Sequence, residues 1–167
     1  MGRRTETTEF LKECMSDALL ELLKEKPIDK ISLQDVSGKA GVGRVTFYRH
    51  FTAKAELIEY KLECLWKKWI TNNDFKQDMT SDENSIWFFS FFYEQRELLL
   101  LLYKQDLLSV VYDFIIDLFY QSKSHSDENK YIISFLAYGF LGILTEWVKG
   151  NFKESTEEML TLVSKFY

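Results

Sequence analysis

Proline occurs once in this chain, at Pro27, and cysteine only twice, at Cys14 and Cys64. Two cysteines are too few for a disulfide framework or a Cys-rich metal site. Each falls in an apolar helical stripe and reads as a buried core thiol. Seven glycines in 167 residues leave little else to interrupt helices. The two histidines, His50 and His125, with two core cysteines, make no convincing zinc site. Neither a nucleophile elbow nor a phosphate loop nor another paired catalytic constellation is present, and Glu157-Glu158 reads as a helix start. The expectation is a non-enzymatic protein without metal or cofactor. The opening Met-Gly-Arg-Arg-Thr-Glu-Thr-Thr lacks the apolar core of a signal peptide. The longest uncharged run, Tyr131 to Thr145, falls short of the roughly 18 to 20 residues that span a bilayer. A soluble, cytoplasmic protein with no membrane partner is therefore expected.

Aromatics, by contrast, are plentiful: 14 Phe, 9 Tyr and 4 Trp. The net charge of −5 would argue against a nucleic-acid partner, but it is unevenly spread. Residues 1–54 hold 10 Lys/Arg and 8 Asp/Glu, a net of +2, while residues 55–167 hold 11 and 18, a net of −7. The acidic majority masks a mildly basic first third, and a local basic face is what DNA would feel.

Helical spacing dominates. Phe10, Leu11, Cys14, Met15, Ala18, Leu19, Leu22 and Leu23 form one helix face, which Pro27 closes. Ser32-Leu-Gln-Asp35 is a capping-box-like start of a short second helix with Leu33, Val36 and Ala40 inward and Gly41 at its end. A third helix covers about 43–50. A fourth begins near Ala53 and carries Leu57, Ile58, Leu62, Leu65, Trp66 and Trp69. Thr71 to Ser85 and Gln121 to Asn129 read as polar breaks, with helices over about 85–104, 106–122, 128–149 and 155–166. No strand-like alternation or repeat interrupts this pattern. The fold class is all-α: three helices over 1–54 joined by a fourth helix to a further helical region over 55–167.

The densest polar chemistry is Gly41-Val-Gly-Arg-Val-Thr-Phe-Tyr-Arg-His-Phe51, with Lys54 beyond it. Two helices joined by a glycine turn and packed on a longer helix make a helix-turn-helix, whose second helix enters the major groove N-terminal end first. Arg44 can donate two hydrogen bonds to a guanine edge, and Val45 can pack on a thymine methyl. Thr46, Tyr48 and His50 can donate to phosphate oxygens, and Lys54 adds a cation. A surface helical hairpin with incidental polar residues is the alternative from spacing alone.

Ile31-Ser-Leu-Gln-Asp-Val36, Ala40-Gly-Val42, Thr46-Phe-Tyr-Arg-His-Phe51 and Lys54-Ala-Glu-Leu57 resemble the N-terminal domain of the TetR family of transcriptional regulators, over about Thr8 to Trp66. The resemblance implies an N-terminal three-helix helix-turn-helix DNA-binding domain over 1–54, joined by the fourth helix to a C-terminal helical regulatory and dimerisation domain over 55–167. It implies that Tyr48, His50 and Lys54 meet phosphates, that Thr46 meets a phosphate or a base, and that Arg44 and Val45 face base edges. It also implies a phosphate contact at Ser32, with Phe47, Phe51 and the stem of Arg49 in the core. Arg3 and Arg4 are either a groove-reaching arm or an unstructured terminus. Gly43 stands where the family usually has serine, and Val45 where it usually has Gly, Pro or Ala.

Farther on, Tyr138-Gly-Phe-Leu-Gly142, Glu146-Trp-Val-Lys-Gly150 and Ser155-Thr-Glu-Glu158 resemble the C-terminal helices of the family's shorter members. The family pairs its last two long helices with those of a second subunit, implying a homodimer on a palindromic operator of double-stranded DNA. Helix 128–149 is apolar on nearly every side, as a helix buried all round would be. Phe135, Tyr138, Gly139, Gly142, Ile143, Leu160 and Val163 are the expected interface, with an internal helix crossing as the alternative. Between the two ends, Trp66, Trp87, Phe88, Phe91, Tyr103 and Tyr112 either line a pocket for a small apolar or aromatic effector or fill a core. The protein is thus expected to be a sequence-specific regulator, a repressor released by such an effector. The alternative is a DNA-binding adaptor or activator whose C-terminal domain takes a protein partner.

Overall fold

The computed structural model describes residues 2–73, 82–121 and 127–166. The polar stretches over 74–81 and 122–126, with His125, lie outside the described residues, as do the side chains of Arg3 and Arg4. Among the described residues every regular element is helical, and the chain divides into two compact units, Met1–Leu65 and Trp66–Tyr167.

The first unit begins with α1 (Gly2–Leu23). Its buried face is Met15, Ala18, Leu19, Leu22 and Leu23. Phe10, expected on that face, is exposed: it lies nine residues from Leu19, half a turn away around the helix. Cys14 and Cys64 are half-buried rather than core thiols, because both sit at the edge of their stripes. Pro27 takes an extended conformation, and Ile28–Lys30 forms a single 3₁₀ turn before α2 (Leu33–Ala40). Val36 and Ser37 are the residues α2 buries, while Leu33 and Ala40 are half-buried. α3 (Arg44–His50) buries Phe47. α4 (Ala55–Asn72) starts two residues later than its spacing suggests, and Leu57, Ile58 and Leu62 are its fully buried anchors in this unit. Polar contacts join α4 to α1: the Tyr60 hydroxyl donates to a Glu9 carboxylate oxygen at 2.7 Å, and Lys61 pairs with Asp17 at 2.6 Å. Burial, then the Glu9 carboxylate, pushes the Tyr60 phenol well above its ordinary range.

The second unit holds the end of α4, α5 (Asp82–Glu94), α6 (Arg96–Lys104), α7 (Leu108–Gln121), α8 (Asp127–Lys149) and α9 (Thr156–Val163), closed by a 3₁₀ turn over Ser164–Phe166. The single helix expected over 85–104 is two helices hinged at Gln95. There the Tyr93 carbonyl accepts from the Arg96 guanidinium at 3.1 Å, and that guanidinium also lies over the Tyr93 ring. The core is built of rings in contact: Phe88 meets Phe140 at 4.4 Å and Phe92 at 5.0 Å edge-on, and Trp147 meets Phe152 at 4.9 Å in a tilted pair. Two hydroxyl pairs lock α7 to α8, Tyr112 with Thr145 at 2.8 Å and Tyr120 with Ser134 at 3.1 Å. Capping boxes start both α2 and α9, the latter through Ser155 and Glu158.

α8 divides into two faces. Ile133, Ala137, Leu141, Leu144 and Val148 point into the unit and are buried. Tyr131, Ile132, Phe135 and Tyr138 form an outward stripe at i, i+1, i+4 and i+7, with Tyr131 72%, Phe135 75% and Tyr138 65% exposed. The expectation of a helix buried on all sides is therefore corrected for the single chain. Lys130–Lys149 is also long and apolar enough to cross a membrane by length and composition, more than the uncharged run alone indicates. The core helix of a soluble protein passes the same test.

Candidate nucleic-acid interface

The start of α2 is built by reciprocal capping. The Asp35 amide donates to the Ser32 hydroxyl at 3.1 Å, and the Ser32 amide donates to an Asp35 carboxylate oxygen at 2.9 Å. Lys26 donates to the same carboxylate oxygen at 2.9 Å. The hydrogen bond from Lys26, followed by those from Ser32, holds the Asp35 carboxyl down to about 2. A lowered native pKa contributes stability that is complete above the ordinary carboxylate value and is lost as pH falls through the native one. Acid titration of the wild type should therefore show a stability loss between about pH 4 and pH 2 that Asp35→Asn reduces. An unchanged profile in the variant would contradict this assignment.

Gly41 ends α2 with φ of +64°, a left-handed conformation that side chains with a Cβ rarely adopt. The Gly41 amide returns to the Gly38 carbonyl and the Val42 amide to the Ser37 carbonyl, so the turn satisfies two carbonyls of the last turn of α2. Val42, Phe47 and Phe51 are buried and fix both ends of α3. Their burial leaves the opposite side of α3 outward: Arg44 is exposed, with Val45 71% and Tyr48 69% exposed. Arg44 and Val45 each stand one turn before Tyr48, at i−4 and i−3, and share its face. Thr46 and His50 are half-buried at the edges of that face, and Ser32 is exposed at the start of α2. Arg49, whose stem is expected in the core, is an exposed residue, lying two residues and more than half a turn from Phe47.

Gly43 precedes α3 in an extended conformation and makes no side-chain cap. A Cβ at this position would meet nothing within 4 Å, so the missing serine reflects no steric demand within the described residues. Lys54 departs most from its expected setting. Its ammonium donates to the carbonyls of Ile28 at 2.5 Å and Ile31 at 2.6 Å, which no spacing argument anticipates.

The residues assigned to an effector pocket are not brought together as one group. Trp66 packs edge-on against Phe91 at 4.9 Å and Phe88 at 5.8 Å, and Trp87 reaches this cluster through Trp69. Tyr112 is tied to Thr145, and Tyr103 is exposed near the end of α6. Of the expected interface residues, Phe135, Tyr138, Gly139 and Gly142 lie on the outward face of α8, while Ile143, Leu160 and Val163 are half-buried. Tyr131 and Ile132 on α8 and Leu162 on α9 are exposed apolar residues that the sequence reading did not place there. For Tyr131 and Ile132, the helical offset from Phe135 was the available signal.

A capped helix, a left-handed glycine turn and a short second helix with arginine, valine and tyrosine turned outward define a helix-turn-helix protein. Residues 16–60 match the bacterial regulatory proteins of the tetR family, and residues 80–167 match a transcriptional regulator C-terminal region. The chain belongs to the TetR family of transcriptional regulators. It is accordingly a DNA-binding protein of transcription regulation. No curated protein matches the chain.

Proposed function

We propose that the protein is a cytoplasmic, homodimeric repressor that binds a palindromic operator and is released by a small apolar or aromatic effector. The observation that carries the dimer is the outward stripe of α8, whose large exposed rings are costly to leave in water. Gly139 and Gly142 lie on the same face and would let a second helix approach closely. Two-fold pairing then sets two copies of α3 one helical turn apart on DNA.

On each half-site Arg44 and Val45 read base edges, and Ser32, Thr46, Tyr48 and His50 hold phosphates. The exposure of Arg44, Val45 and Tyr48 on one face supports this division of labour. A second reading is favoured by the direct ring contacts among Trp66, Phe88 and Phe91, which suit a filled core. In that reading the protein is an adaptor or activator whose C-terminal unit takes a protein partner. Screening apolar and aromatic compounds for thermal stabilisation, and the hits for release of bound DNA, separates the two. A compound that does both supports the effector-released repressor. Compounds that neither stabilise nor release would leave the adaptor reading, as would reporter transcription that rises with the protein present.

A further inference from the structure

α3 is seven residues long, well short of the roughly 12 to 15 at which a helix begins to hold itself in water. Its direction is therefore set by what grips its two ends. The buried Val42 and the left-handed turn at Gly41 hold the N-terminal end. α4 holds the other end through two residues one turn apart on one face, Glu56 and Tyr60. The Tyr60 ring meets the buried Phe51 ring edge-on at 6.0 Å, and Phe51 meets Phe47 at 5.8 Å. The Glu56 carboxylate takes the next residue, Thr52, by both of its donors. One oxygen accepts from the Thr52 amide at 2.9 Å and the other from the Thr52 hydroxyl. The Thr52 hydroxyl, then its amide, and last the Ala53 amide hold the Glu56 carboxyl below its ordinary range, so the turn favours the ionised form. Thr52 and Ala53 are exposed, and they follow His50, the last residue of α3, by two and three positions.

We propose that Glu56 is a positioning residue whose carboxylate ties the end of the reading helix to α4 and so fixes the angle at which Arg44 and Val45 meet base edges. This rests on the DNA-binding reading above. Charge alone would have the opposite effect. An anion this close to the end of α3 repels phosphates, so its removal should strengthen binding to any duplex. A tie adds discrimination, because it aligns base-reading groups without touching the DNA itself.

Glu56→Gln and Glu56→Ala separate the charge from the tie. Glutamine loses the charge but keeps an oxygen for the Thr52 amide and an amide group that can donate to the Thr52 hydroxyl. Alanine loses both. The full chain and the two variants, all folded by circular dichroism, are titrated with a duplex selected by the wild type and with a random duplex. Amide exchange of residues 50–53 is measured without DNA. For Glu56→Ala the ratio of selected to random affinity should fall about tenfold, the order of one base pair's discrimination. Its random-duplex affinity should hold or rise, and exchange over 50–53 should quicken. Glu56→Gln should keep most of the ratio and the slow exchange. If Glu56→Ala fails to fold, Thr52→Val removes the hydroxyl, keeps the charge, and should lower the ratio in the same direction.

Tighter binding of both variants to both duplexes, at an unchanged ratio, would leave Glu56 a repelling charge and overturn the tie. A ratio lost as far in Glu56→Gln as in Glu56→Ala would overturn it too, and so would a ratio retained in Thr52→Val where that variant stands in. A wild type that selects no sequence at all would instead defeat the base-reading role of α3 itself.

Discussion

Phe135→Glu should convert the protein to a monomer and weaken operator binding by at least about a hundredfold, the lower end of what linking two binding sites contributes. Phe135 is the most exposed of the large rings on α8 and lies between Ile132 and Tyr138 along the stripe. A carboxylate there would be desolvated against an apolar partner helix, which is costly. The side chain makes no demand on the core of its own unit, so helicity and thermal unfolding of the isolated chain should change little. Sedimentation equilibrium reads the first effect and operator titration the second. A Phe135→Glu protein that stays dimeric would place the subunit contact elsewhere.

Arg44→Ala and Tyr48→Ala should fail in different ways. Loss of a bidentate arginine–guanine contact costs about 1–3 kcal/mol of discrimination per half-site, and two-fold symmetry doubles it on a palindrome. Random-duplex binding should fall far less. Tyr48→Ala removes a neutral donor to a charged phosphate, a loss of about 1.5–3 kcal/mol that falls on all sequences alike. Its salt slope should not move, since no cation is removed. Paired titrations of selected and random duplexes distinguish the variants. Equal loss on both duplexes for Arg44→Ala would remove it as a base reader.

Local backbone rules made the DNA-facing end legible. The Ser32–Asp35 spacing foretold a capping box, Gly41 a helix end, and the Val42, Phe47 and Phe51 pattern the buried side of the reading helix. What spacing could not resolve was the exact orientation of residues beside a stripe. Phe10 and Arg49 both proved exposed, and the cysteines only half-buried, because a hydrophobic pattern defines a face to within about one residue's 100° step. The hinge at Gln95 was hidden because Leu98 to Leu102 continue the apolar pattern across it; the change is in one carbonyl's partner. Lys54 shows a deeper limit. Its partners are backbone carbonyls more than twenty residues away, and a main-chain acceptor leaves no mark in a sequence.

The outward face of α8 was legible only in part. Its residues were recognisably apolar, but whether they fill a core or face a neighbour depends on which side of α8 the rest of the unit covers. Phe140 and Trp147 turn into the ring cluster, and that choice leaves Tyr131, Phe135 and Tyr138 outside.

The central claim is that two copies of this reading helix act together on one face of DNA. Hydroxyl-radical footprinting of a duplex selected from random sequence by the wild-type protein tests it most directly. Two protected tracts related by a dyad are expected, their centres about one helical turn apart, roughly 10 base pairs, both lost together in Phe135→Glu. A single protected tract without a dyad, retained in that variant, would contradict it.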